Sequence, residues 1–431
     1  MKTKKMKKHS LNMPIVWIIA LAVAIGLMAA CDLGNGISLG EGEDGSHGNY
    51  VLHAYERPVI SYPTSRETHD FQLNNPARFF TGNYFWSNRK DHLPRGILYR
   101  IDSIDRKGVT LEETHNHIQG HERYGQWHIL THSNDEKNNA RIFFHRVGRN
   151  DSKNLNMNTP GFDRHPGGIQ RIGDYLLIGS SHEGESRVNL MDLRPLRDGI
   201  LPNPSVQIIY HGNIGTAAAV GITDLYNSRN YSFQGSSDIY TFFQASYRRY
   251  LIAVVHYGDG IQLYITGEIR SLSDIGQNIR TDDENTLLSP GLKKLGYVSI
   301  PGKNYDGIAL VRDTNNNIWM FGFRGEESGF GTGLFGFHSY VDLYQISQSG
   351  SNHDIIFLNS YSPPLTQQLS VDQGYYDGMH AITTRYGSSL HLISPDDIMI
   401  TITERNLAPK KRWPYADLTY TEFNDFDRWG P

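Results

Sequence analysis

A diverged unit repeats along this chain, and a repeat constrains a fold strongly, because each copy must build the same substructure and bury it against its neighbours. Four copies are "HIQGHERYGQWHILTHS" from His117, "HPGGIQRIGDYLLIGSS" from His165, "NYDGIALVRDTNNNIWMFGF" from Asn304 and "YYDGMHAITTRYGSSLHLISP" from Tyr375. Each carries a glycine (Gly120, Gly168, Gly307, Gly378), then a short apolar run, a polar turn and a second apolar run. A fifth, weaker copy starts at "GTAAAVGITD" from Gly215 and resumes at Tyr250 after an insertion. Third runs follow at "ARIFFHRV" from Ala140, "SRVNLMDL" from Ser186, "GIQLYIT" from Gly260, "YVDLYQI" from Tyr340 and "DIMITIT" from Asp397. Fourth runs fit "VQIIYHG" from Val206, "LGYVSIP" from Leu295 and "DIIFLNS" from Asp354. The runs are rich in Val, Ile, Tyr and Phe and bounded by turn residues, and no long stretch repeats apolar residues at helical spacing. The chain therefore reads as all-β.

Each unit is then a four-stranded antiparallel meander, and the set resembles the blades of a β-propeller. The resemblance implies a five-bladed β-propeller over residues 96–431, with a six-bladed ring as the alternative. Residues 50–95 would pack on the propeller or complete it. The run "GILYRIDSI" from Gly96 is expected to pair with the last unit as its outer strand, leaving no sheet edge open.

The first thirty residues have the layout of an export signal. Lys2, Lys4, Lys5, Lys7 and Lys8 precede an apolar stretch from Pro14 to Leu27. The following "LMAAC", ending at Cys31, resembles the lipobox of bacterial lipoproteins, which implies lipidation of that residue and a cell-envelope location, periplasmic or surface-exposed, anchored to a membrane. Cys31 is the chain's single cysteine, so it has no partner for an internal disulfide. An uncleaved apolar anchor is the alternative. Residues 31–49, rich in Gly, Ser and acidic side chains, read as a flexible tether. Without residues 1–30 the chain keeps 36 basic against 45 acidic residues, a net −9 with His neutral, which argues against a general grip on nucleic acid.

In an antiparallel meander, the loop before strand one and the loop after strand two emerge at the same end. In a propeller these loops surround the mouth of the central channel, where a polar small molecule or glycan would bind. The loops before strand one carry His117, Gln119, His165, Gly167, Thr216, Asn304, Asp306, Tyr375 and Asp377; those after strand two carry His132, His182, Glu183, His256, Arg324 and Asp396. His117, Gln119, His165, Asp306, Asp377, His380 and Arg324 are the candidate ligand contacts. Imidazole and carboxylate are ligand types for a divalent metal, so His117, His165, Asp306 and Asp377 could hold one as a cofactor. Asp306, Asp377 and Glu183 could instead act as acid and base on a glycosidic bond, the pattern of a glycoside hydrolase or metal-assisted hydrolase. Asp-Gly before a strand is also ordinary turn chemistry, with Asp capping and Gly at positive φ. A third class of function is a scaffold for other envelope proteins, for which the insertions at 225–248 and 267–292 offer surface.

The segment from Thr114 to His132 is dense in histidine, and hydrogen-bonded structural roles suit most of these side chains. Tyr375, Tyr376, Trp127 and Tyr305 could stack on a sugar but more readily pack between blades. "GTGLFG" from Gly331 is not followed by a helix, which argues against nucleotide binding. "DTNNN" from Asp313 lacks the Gly and terminal Glu of a calcium loop and reads as a turn. There is no G-x-S-x-G elbow and no H-E-x-x-H helix.

Overall fold

The computed structural model describes residues 72–80, 97–109, 114, 116–133, 140–146, 151–157, 165–182, 185–211, 217–225, 229–241, 247–256, 260–275, 280–283, 286–300, 303–327, 337–350, 354–360, 364–369, 383–409 and 415–423. The chain divides into two units, Met1–Val51 and Leu52–Pro431, and all described residues belong to the second. Cys31, Glu183, Thr216, Tyr375, Tyr376, Asp377, Gly378 and His380 lie outside the described residues.

The described chain is all-β, its only helical pieces being short 3-10 turns. Five antiparallel sheets follow one another along the sequence. The first runs Ile118–Tyr124, Trp127–His132, Arg141–Arg146 and Asp151–Asn156. The second runs His165–Ile172, Tyr175–His182, Glu185–Asp192 and Val206–His211. The third runs Ala217–Leu225, Arg249–His256, Gly260–Thr266 and Leu292–Ser299. The fourth runs Gly307–Arg312, Ile318–Glu327, Phe337–Gln345 and Leu365–Leu369. The fifth runs Ser388–Ser394, Asp397–Thr403 and Tyr415–Phe423, and then takes Ile97–Asp105 as its outer strand. That strand pairs antiparallel from Ile97↔Glu422 to Asp105↔Tyr415, the pairing expected of the run from Gly96.

Both faces of the inner strands are buried, so successive residues of one strand serve different neighbours. In Tyr175–His182, Leu176 and Ile178 pack on Ile129 and Phe144 of the first sheet, while Leu177 packs with Val220 and Ile222 of the third. Equivalent clusters join the third sheet to the fourth, the fourth to the fifth, and the fifth to the first. The first strands meet in the same succession: first with second, second with third, third with fourth, fourth with fifth, and fifth with first.

The repeated glycines serve that close approach, which corrects the positive-φ reading. Neither Gly168 nor Gly307 has a positive φ. A Cβ on Gly168 would lie 2.5 Å from the Asp306 carbonyl oxygen and 2.9 Å from Gly307 Cα. One on Gly307 would lie 2.7 Å from Ser388 Oγ. Beside this contact Gln170 joins three sheets. Its Oε1 accepts from Ile222 N–H (2.7 Å) and Leu310 N–H (2.9 Å), and its Nε2 donates to the Leu310 carbonyl (3.0 Å).

Two further strand expectations need correction. The fourth run of the fourth unit was expected at Asp354; instead Ile355–Phe357 joins a small separate sheet with Ser347–Ser349, Tyr231–Phe233 and Ile239–Tyr240, and Leu365–Leu369 takes its place. In the fifth unit, Ser388–Ser394 meets the first strands of its neighbours and is the first strand, not the second, so the aligned register was one strand out. The insertion at 267–292 adds Thr286–Leu288 and Arg280–Asp283 to the outer edge of the second sheet. Of residues 50–95, the described piece 72–80 lies against the fourth and fifth sheets, with Leu73 N–H donating to the Arg312 carbonyl, Asn74 N–H to the Pro395 carbonyl, and Phe79 buried.

Candidate ligand-binding site

His117, Gln119 and His165 come together at the start of the first strands of the first and second sheets. The amide of Gln119 sits between the two imidazoles, 3.3 Å from His117 Nδ1 and 3.2 Å from His165 Nε2. The fifth sheet adds two residues that the one-strand register error concealed. Arg405, just after Asp397–Thr403, donates from Nη2 to His117 Nε2 at 2.7 Å. Tyr386, just before Ser388–Ser394, lies 5.7 Å from the His117 ring, with the Arg405 and Arg385 guanidinium carbons 5.4 and 5.7 Å from its own ring centre. The backbone fixes this arrangement. The Arg405 carbonyl accepts from Ile118 N–H, and Gly387 follows Tyr386 at φ 45°, with its missing Cβ giving room to Thr403 Oγ1.

An arginine can only donate, so His117 Nε2 must be unprotonated and its proton sits on Nδ1. His117 and His165 are half-buried and Gln119 nearly closed off, which leaves hydrogen-bonding groups at the surface beside an aromatic ring. Such a group of side chains can bind a polar molecule by replacing its water hydrogen bonds.

The other candidates are used differently. Arg324 is buried and donates from Nε to Asp342 Oδ2 (2.7 Å) while stacking on Tyr340. Asp342, fully enclosed, also accepts from Tyr305 OH (2.8 Å) and Thr366 Oγ1 (2.6 Å). Burial together with the Asp342 charge raises the Tyr305 pKa far above its ordinary value, and Tyr344 is pushed up to about 12, chiefly by burial. Tyr305 and Trp127 thus pack inside rather than line an opening, and the Trp127 indole donates to the Leu196 carbonyl. Asp306 precedes the fourth sheet's first strand, with its carbonyl against Gly168. His132 is buried against Phe143, and His256 against His211. Asp396 belongs to the turn between the fifth sheet's first two strands, at the far end from Arg405, and pairs with Arg78 at 2.6 Å. Asp313 accepts from the Asn315 and Asn317 N–H groups and the Trp319 indole, as a turn residue does.

A second polar group was not anticipated as a unit. His391 Nδ1 lies 3.2 Å from Glu122 Oε1, Ser389 Oγ lies 3.0 Å from His391 Nε2 and 3.4 Å from His121 Nδ1, and His121 Nε2 lies 2.8 Å from His128 Nδ1. One direction of donation satisfies every contact with each ring neutral: His128 to His121, His121 to Ser389, Ser389 to His391, His391 to Glu122. Burial holds the His121 and His128 pKa values well below the usual imidazole range, in agreement. Across the strand pair from His128, His145 is likewise buried, and its pKa falls to about 4 against the opposing pull of Asp151.

The serine, imidazole and carboxylate stand in the order of a nucleophilic triad, yet Ser389 is only 3% exposed. The neighbouring cavity between Glu122, His391, Gln170 and Leu310 offers about 20 Å³, room for a water and not for an acyl group. The chain is a structural tie between the first and fifth sheets. Among the described residues no group of three or more His, Cys, Asp or Glu side chains could hold a metal ion.

No family model and no curated protein matches the chain. Among solved structures it is similar to the α-L-arabinofuranosidase PaAbf62A from Podospora anserina, in complex with cellotriose, at 8% identity and a TM-score of 0.35 over 75% of this chain and 95% of that one. It is similar at 8% identity and a TM-score of 0.21 to the polysaccharide lyase Uly1, over 83% of this chain and 97% of that one.

Proposed function

We propose that this chain is a five-bladed β-propeller of the cell envelope, held to a membrane by a lipid on Cys31, whose mouth binds a small polar or carbohydrate ligand. The observation that carries the binding reading is the meeting of His117, Gln119, His165 and Arg405, from three sheets, at the end where the first strands begin. Support for the ring comes from the succession of contacts among the five first strands and from the outer strand that Ile97–Asp105 lends to the fifth sheet. The anchor rests on the resemblance of the segment ending at Cys31 to a lipobox. Among the described residues no helix is long and apolar enough to cross a membrane.

Titration of the full chain with a panel of neutral and charged saccharides tests the binding reading. His117→Ala and His165→Ala are expected to remove binding while leaving the melting temperature within a few degrees. Binding that survives both substitutions would move the site elsewhere. Cys31→Ser is expected to abolish labelling by a fatty-acid probe and release the protein from the membrane fraction.

A further inference from the structure

The proton positions at the mouth say what kind of ligand it accepts, and this inference rests on the binding reading above. Arg405 takes the lone pair of His117 Nε2 at 2.7 Å, which places the ring proton on Nδ1. The Gln119 amide atom 3.3 Å from that nitrogen must therefore be an acceptor. It is the carbonyl oxygen rather than the nitrogen placed there, since the two ends of an amide are told apart only by their partners. The same oxygen accepts from His165 Nε2–H at 3.2 Å. Turned this way, Gln119 keeps its NH2 on the far side of the group as a pair of donors.

Apart from His165 Nδ1, which carries the lone pair of a neutral ring that donates from Nε2, the acceptors of the group are thereby used up. His117 Nε2 is taken by Arg405, and the Gln119 oxygen by two imidazoles. The donors are in surplus: the Gln119 NH2, and on Arg405 the terminal N–H groups that His117 does not use. Arg405 makes no ion pair among the described residues, and its positive charge lies on the same tyrosine ring as that of Arg385. A site with more free donors than acceptors and a guanidinium in need of a counter-charge selects an oxyanion. A neutral sugar, whose hydroxyls must donate as well as accept, is matched less well.

We infer that the mouth recognises an acidic saccharide, placing its carboxylate or sulfate against Arg405 and the turned amide of Gln119. The test is a titration, followed by ligand-observed NMR, of the full chain with four sugars on one ring: D-galactose, D-galacturonate, methyl D-galacturonate and D-galactose 6-sulfate, repeated in the gluco series. One or both anions should bind about 10- to 100-fold more tightly than the neutral sugar and the methyl ester, as expected for one charge-assisted pair. Which anion prevails distinguishes carboxylate from sulfate. Arg405→Gln should erase that preference and Arg405→Lys retain part of it, both with melting temperatures near that of the parent. Equal binding of all four sugars would overturn the inference and leave the mouth as a binding site. Binding of none would remove both.

Discussion

Acid should weaken this fold in steps that can be assigned to single residues, and His145 offers the cleanest of them. Its ring is buried in the third strand of the first sheet, and burial lowers its pKa from 6.5 to about 4. Between those values the unfolded chain binds a proton that the folded chain does not, so stability is lost as pH falls from about 6.5 towards 4 and levels off below. From pH 7 to pH 5 the loss from this one side chain is about 2 kcal/mol, which for a domain of this size lowers the melting temperature by about 2–3 °C. His121 and His128 act in the same direction, so the parent protein should lose more than this. The assay is urea unfolding at pH 7, 6 and 5 at constant ionic strength, on the parent and on His145→Leu. The variant cannot titrate, and it also lacks the buried Nδ1 that has no hydrogen-bond partner among the described residues. Its loss between pH 7 and 5 should be smaller than the parent's by about 2 kcal/mol. Parallel pH profiles for the two proteins would refute the reasoning, because a ring that costs nothing to protonate is not held in a dry site.

Two substitutions probe the packing of the first strands. Gly168→Ala sets a methyl 2.5 Å from a backbone oxygen and 2.9 Å from a backbone carbon, neither of which can turn aside, and should cost about 1–3 kcal/mol by thermal or urea unfolding. Gln170→Ala strands two amide N–H groups and a carbonyl on strands of the third and fourth sheets, at about 1–3 kcal/mol each. A loss below about 1 kcal/mol would mean that water replaces the amide; otherwise faster hydrogen exchange at Ile222 and Leu310 should accompany a loss of at least about 3 kcal/mol.

The strands were legible because apolar runs such as Tyr175–His182 and Arg249–His256 are buried on both faces and need no subtle periodicity to be seen. Outer strands were harder to see. Asp151–Asn156, reading DSKNLN, is half-buried and polar, and nothing in its side chains announces a strand; its order comes from backbone pairing with Arg141–Arg146. The candidate site was half visible. His117 precedes, and Gln119 and His165 lie at the start of, strands that were correctly placed, whereas Arg405 and Tyr386 were hidden by a one-strand slip in the last unit, where Ser388 rather than a glycine meets Gly307. That slip also put Asp396 at the wrong end of the sheet. The tie from Glu122 to His128 could not be read at all, since it joins residues more than two hundred positions apart, as the contact of Ser389 with His121 shows.

The loan of Ile97–Asp105 to the sheet of Tyr415–Phe423 has a bearing on how the protein must come into being. The two strands are separated by roughly 300 residues, and bringing them together costs about 5 kcal/mol of chain entropy. The early strand therefore waits, edge exposed, through the synthesis of every intervening sheet, and a growing chain has no way to finish its fold piecemeal. Synthesis of the early strand and completion of the fold are separate events for such a topology, which gives an interval in which the polypeptide stays open before it locks.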